Sequence, residues 1–334
     1  MPWLWRTVVP VTPDARIDRE LFSDDDMLPL LIYERLRWSH PRSSYEESIR
    51  REQSLQPGPH AVLVLNSAWA QIFNGGIVQL LYNFGDRLGE AVPAAAFVGA
   101  PDYERLYRDV VDLLPGTGLP TEHYERSGRV EELQDDDAFC KRLEVLEDRY
   151  YELEEEIGTP IECALRYVHA HPEQFFLSER EAAADNDAFV ARLVARVGPV
   201  ERAGADELAA AEAEVGRPFP PLLRRLYMEV GAAGWGPERG FLSPRGDEGL
   251  VGAWRRARRD FHGPRAGDLW PDTLLPVIRA TGGELICADA SEPWLPLSRL
   301  STSGPLGWYD GRPSFPRELF TLRGRLEDWL VAPD

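Results

Sequence analysis

"FNGGIVQLLYN" spans residues 73–83, and how this stretch is read decides the first half of the fold. An Asn-Gly-Gly triplet runs straight into an apolar segment. It is either a ligand loop or the start of a packed helix. A P-loop needs Lys-Ser/Thr after its glycines, and a dinucleotide turn needs G-x-G-x-x-G after a strand. Neither pattern is present. Asn74 suits an N-cap, with Gly75 and Gly76 in the first turn, where missing side chains admit another backbone. Asn83 to Gly85 suits a helix end. The stretch therefore reads as tight helix packing. An anion or peptide site at the exposed N–H groups of the Asn74–Gly76 turn is the alternative.

Working outward, helices are expected at 44–55, 60–73 and 101–114. In "KRLEVLEDRYYELEEEIG" (141–158), Leu143, Leu146, Tyr150, Leu153 and Ile157 form one apolar stripe. Most of the acids fall off that stripe, and Gly158 ends the helix. "TPIE" follows, with Thr159 as N-cap, Pro160 at the first helical position and Glu162 completing a capping box. This helix stops near Pro172. Residues 178–204 read as a connecting helix and a Gly/Pro/Ala linker, with a break near Gly198.

The second half alternates. "DELAAAEAEVG" is a helix capped by Asp206 and closed by Gly216, and "PPLLRRLYMEVG" puts Leu222, Leu223, Leu226, Tyr227 and Val230 on one face. Strands are expected at "GFLS", "LLPVI" and "ELICAD", the last two joined by a Gly282–Gly283 hairpin turn. "LVGAWRRARRDF" buries Leu250, Trp254, Ala257 and Phe261. The final helix buries Leu319, Leu322, Leu326 and Trp329. The fold class is thus two domains. A mainly α-helical N-terminal domain (1–177) and a connector (178–204) precede an α+β domain (205–334) with an antiparallel sheet and flanking helices.

The chain has 334 residues, 43% hydrophobic and 28% charged, which suits two globular domains. The start lacks the pattern of a secretory signal, and no run of 18 apolar residues suggests a membrane span. Three widely spaced cysteines, Cys140, Cys163 and Cys287, point to reduced thiols and a cytoplasmic setting. Charge is uneven. Residues 1–195 hold 19 Lys+Arg against 36 Asp+Glu (net −17), and residues 196–334 hold 18 against 20 (net −2). Such a field repels nucleic acid and attracts basic partners.

No catalytic signature is present. His169 and His171 diverge by about 200° on a helix, and no further ligands stand at metal spacing. Cys163 and His169 are about 120° apart on the same helix, so a Cys–His dyad is not formed. The Asp135–Asp137 run reads as solvated rather than as a cation site. Arg255, Arg256, Arg258 and Arg259 form the one basic feature, suited to a solvated face or to docking on an acidic surface.

"FNGGIVQLLYN", "VGAPDYERLYRDVVDLL" and "RYYELEEEIGTPIECALRYVHAHPEQF" resemble a bacterial domain family of unknown function that contains acidic DNA-mimic proteins. The resemblance makes Asn74, Gly75, Gly76, Gln79 and Asn83 a structural motif. Ile77 stands where an aromatic is usual. "ELAAAEAEVGRPFPPLLRRLYMEVGAAGWGPERGFLSP", with Glu212, Gly216 and Pro220, and "WPDTLLPVIRATGGELICAD" resemble the SUKH superfamily, which includes toxin-immunity proteins and regulatory interaction proteins.

These resemblances and the charge imply a non-catalytic binding protein without metal or cofactor. It is expected to be an immunity protein that occludes a basic, nuclease-type bacterial toxin, with no direct contact to nucleic acid or membrane. The alternatives are a regulatory scaffold or DNA mimic that sequesters a DNA-binding protein, and a small-ligand or enzyme site at Asn74–Gly76. The expected partner-binding residues are Asp135, Asp136, Asp137, Glu154, Glu155 and Glu156, with Trp235 as an aromatic anchor or, alternatively, a core residue. Oligomeric state stays open.

Overall fold

The structure is a computed structural model that describes residues 14–19, 27–38, 44–114, 116, 118–260, 270–280, 283–292, 295–300, 308–309, 312–313 and 321–331. The chain divides into two compact units, with the main break between Phe176 and Leu177. A short β1 (Ile17–Asp18) pairs with β2 (Phe176–Leu177).

The first unit is helical: α1 (Leu28–Trp38), α2 (Tyr45–Gln53), α3 (Pro57–Phe84), α4 (Leu88–Phe97), α5 (Pro101–Leu113), α6 (His123–Gln134), α7 (Asp137–Ile157) and α8 (Pro160–Ala170). Its core combines the apolar faces of α3, α4, α5, α7 and α8, including Leu65, Ile72, Leu80, Leu81, Tyr103, Tyr107, Leu143, Tyr150, Leu153 and Val168. The stripe read on α7 is the buried face, apart from Leu146 and Ile157, which are half-buried. Gly158 has φ +82° and its N–H donates to the Glu154 carbonyl. The capping box forms as written: Glu162 N–H donates to Thr159 Oγ1 at 3.1 Å and Thr159 N–H to Glu162 Oε2 at 2.6 Å.

α3 is long and apolar enough by composition to cross a membrane. It is two helices, however, broken at Gly75 (φ −176°, ψ 33°) and Gly76 (φ 71°, ψ −169°), with its apolar residues in the helical core. The glycines therefore do not form the first turn of a helix capped by Asn74. They are an elbow between one helix that ends before them and another that begins at Ile77.

The second unit begins with α9 (Glu179–Val197), followed by α10 (Ala205–Val215), α11 (Pro221–Arg225), a π-helical turn (Leu226–Val230), α12 (Leu250–Asp260), β3 (Leu274–Arg279), β4 (Leu285–Asp289), β5 (Leu297–Leu300), β6 (Trp308–Tyr309), β7 (Arg312–Pro313) and α13 (Leu322–Val331). β3, β4 and β5 form an antiparallel sheet in that order, and β6 pairs with β7. "GFLS" contributes only a bridge, Phe241 to Ile278, at the β3 edge. Gly240 is pressed against the Arg279 carbonyl there, leaving no room for a Cβ. Gly283, at φ +85°, closes the β3–β4 connection; Gly282, Phe261 and Leu319 lie outside the described residues.

Two local readings change. α10 starts at Ala205 with Gly204 at the cap position, so Asp206 sits in the first turn instead of capping it. α9 does more than connect. Phe189, Val190 and Leu193 are buried in the core of the second unit. Arg323 of α13, itself 4% exposed, donates to Asp185 Oδ2 at 2.6 Å and Asn186 Oδ1 at 2.7 Å. Arg192 pairs with the buried Glu327 at 2.6 Å. That this segment is a helix was legible, but the unit to which its apolar face belongs was not.

Candidate protein interface

The Asn-Gly-Gly elbow determines which surfaces of the first unit are available. The Asn83 side-chain amide donates to Gln71 Oε1 at 2.7 Å, twelve residues back. On a straight helix those residues would be about 18 Å apart along the axis, so the chain bends sharply at the glycines. A Cβ on Gly75 would meet Gln79 Cβ at 3.0 Å. Gly76 carries a positive φ, and a Cβ there would collide with the Glu147 carboxylate. Ile77 N–H donates to Glu147 Oε2 at 2.8 Å.

The helix that starts at Ile77 is thus capped from α7 by an acid. Its other end meets a base: Arg126 of α6 donates from Nε to the Tyr82 carbonyl at 2.8 Å and pairs with Asp86 at 3.3 Å. A carboxylate at the N-terminus and a guanidinium at the C-terminus both oppose the helix dipole favourably. The Ile77 amide, one of those that would have greeted an external anion, is already bound to the chain's own carboxylate. That argues against the ligand-site reading of Asn74–Gly76.

α7 carries the acidity outward. At about 100° per residue, Asp137, Glu144, Glu147, Asp148, Tyr151 and Glu155 share one arc of the helix. No Lys or Arg falls inside it. Lys141 lies at its margin, and Arg142 and Arg149 face away. Asp137, Glu144, Asp148, Tyr151 and Glu155 are exposed. Glu147, at the edge of this arc, meets the elbow at Gly76 and Ile77; three residues before Gly76, Phe73 is 74% exposed and packs its ring 5.5 Å from Trp69.

The six acids expected at a partner site divide by environment. Asp137 and Glu155 lie on the open arc. Asp135 is the exposed C-cap of α6. Asp136 caps α7, accepting from Ala138 N–H at 2.8 Å. Glu156 pairs with Arg149 at 3.2 Å, which also binds Glu152 at 3.0 Å, and Glu154 is half-buried. Glu144 and Asp148 were missed because choosing consecutive acids ignores the helical period. Trp235 takes the core reading and not the anchor reading. It is 3% exposed, stacks on Phe241 at 4.1 Å and donates its indole N–H to the Gly231 carbonyl at 2.8 Å. It is a core residue with its polar atom satisfied, so it is not an exposed anchor.

Three arginines of α12 are engaged inside their own unit. Arg255 pairs with Glu214, Arg256 with Glu248 at 3.6 Å and Arg258 with Asp272 at 2.8 Å. His169 is exposed on α8, and the described residues contain no group of three metal-ligating side chains. Burial pushes the Cys163 thiol above its ordinary value.

A second ionic group is internal. Arg87, 6% exposed, bridges Glu52 and Glu90 at 2.9 Å each, tying α2 to α4. His60 of α3 stands 3.6 Å from Glu90. Burial raises the Glu52 carboxyl above the ordinary range and holds the His60 imidazole below its usual value, outweighing the pull of Glu90.

Comparison with protein families yields two matches. Residues 53–171 match the model of the DMP19-like protein family, and residues 202–330 match the SMI1 / KNR4 family (SUKH-1). Comparison with curated proteins and with solved structures returned no match. The chain thus joins a DMP19-like helical domain to a SUKH-1 α+β domain.

Proposed function

We propose that the protein is an immunity-type inhibitor that occludes a basic, nuclease-type toxin. The SUKH-1 match supports a protein-binding role in toxin immunity or cell-wall regulation. The observation that carries the finer reading is the exposed acidic arc of α7, free of Lys and Arg and set in a half-chain of net −17. A nuclease presents cations where phosphates bind. Acids at helical spacings of three and four, about 5–6 Å apart, offer such a cleft a row of carboxylates in place of phosphates. The role needs no chemistry from the inhibitor.

Co-expression with nuclease-type toxin domains, beginning with any encoded beside its gene, tests the reading. The full chain should restore growth and co-purify with the toxin as a salt-sensitive complex. Continued killing, with no complex formed at low salt, would falsify it. The SUKH-1 match equally accommodates a regulatory scaffold of the cell-wall type, and growth rescue is the result that separates the two.

A further inference from the structure

The acidic arc explains attraction but not tenacity. Exposed ion pairs contribute only about 0–1 kcal/mol each, so a durable complex needs an apolar anchor. Phe73 is the most exposed large apolar residue of the first unit after Tyr124. It precedes the elbow, whose Gly76 abuts Glu147, and Tyr151, 45% exposed, lies one turn beyond Glu147 on α7. Trp69 backs the Phe73 ring at 5.5 Å. The elbow itself is fixed by the Asn83–Gln71 and Ile77–Glu147 hydrogen bonds, so Phe73 is displayed from a braced turn.

We infer that Phe73, Trp69 and Tyr151, flanked by Glu144, Asp148 and Glu155, form a docking site for a basic protein segment that presents an apolar side chain among Lys or Arg residues. This deepens the inhibitor reading and rests on it. Charge selects the occupant. A second copy of this chain related by a two-fold axis would bring two acidic arcs together, a like-charge contact that opposes association. A basic segment gains charge attraction at the rim and aromatic burial at the centre, the usual layout of an interface hot spot.

The test uses the full-length chain and two synthetic helical peptides of equal Lys/Arg content. One carries a leucine stripe and its twin carries serine at the same positions. Fluorescence anisotropy should show the leucine peptide binding about tenfold more tightly. Phe73→Ala should abolish that advantage while leaving the salt dependence of both peptides intact. Because Phe73 is exposed, the variant should keep the parent Tm. Neutralising Glu144, Asp148 and Glu155 together should weaken both peptides at low salt. Neutralising Glu152 and Glu156, which Arg149 already holds, should weaken them less.

Equal affinity for the twins, or a leucine advantage that survives Phe73→Ala, overturns the docking site and leaves the reading of a basic-partner inhibitor standing. Failure of both peptides to bind even at low salt overturns both. A dimer of the protein alone that Phe73→Ala converts to monomer, measured by sedimentation equilibrium, also overturns it, since the elbow would then be a self-interface.

Discussion

Glu147 on α7 accepts a hydrogen bond from the Ile77 N–H at 2.8 Å, across seventy residues of sequence. That one contact links the glycine elbow to the acidic helix. It accounts for the close fit of Gly76, where any side chain would displace the carboxylate.

Glu147→Ala should leave the Ile77 amide without its acceptor and destabilise the first unit by about 1–2 kcal/mol. Gly76→Ala should cost more, because it adds backbone strain of about 1–3 kcal/mol at φ 71°, ψ −169° to the collision with Glu147. Urea titrations of the two variants check the order. Equal stability of Gly76→Ala and the parent would show that the elbow is not constrained as described.

The second unit should need α9. Residues 177–334 alone should melt cooperatively, whereas residues 205–334 should not fold. In the full chain, Arg323→Ala takes from Asp185 its 2.6 Å partner and leaves Arg192 to hold the buried Glu327, which should cost about 3–5 kcal/mol. Calorimetry reads both effects. A cooperative transition in 205–334 would show that α9 is dispensable.

Acidification should weaken the first unit through His60. Its pKa lies below 6.5 in the folded protein, so the unfolded chain binds more protons there, and stability falls as pH drops below 6.5. Glu90, whose pKa Arg87 lowers, loses its contribution only below 4.5. His60→Gln should therefore flatten the Tm profile just below pH 6.5 without changing the steeper fall in the carboxylate range. An unchanged profile would assign the pH dependence to other groups.

Trp235→Ala should destabilise the second unit by about 3–5 kcal/mol through the cavity it leaves and the loss of stacking on Phe241. Partner affinity measured on the folded fraction should be unchanged. A loss of affinity in a variant that stays fully folded would return Trp235 to the interface.

Much of the fold was legible because it follows local rules. The stripe on α7, the Thr159–Glu162 box, the Gly158 and Gly216 stops and the β3–β4 pairing all depend on neighbours in sequence. What escaped depends on distant partners. The Gly75–Gly76 pair reads locally as a first turn, and only Glu147 and Gln71 make it an elbow. Trp235 sits among glycines, as an exposed aromatic would, yet Phe241 and the Gly231 carbonyl bury it. The acidic site was half legible. The wheel of α7 separates Glu144 and Asp148 from the Arg149-bound Glu152 and Glu156, but it cannot show that the glycine elbow abuts the helix at Glu147.

The most direct test of the central claim is the association rate of the full-length protein with the nuclease-type toxin domain that it protects against in co-expression, measured by stopped flow at low and high salt. The account predicts a rate that falls steeply as salt screens the charges. Glu144→Gln, Asp148→Asn and Glu155→Gln combined should slow association more than they speed dissociation, and Phe73→Ala should do the reverse. An association rate indifferent to salt and to the three neutralised acids would contradict the account and reduce the acidity of the first unit to a solubility feature.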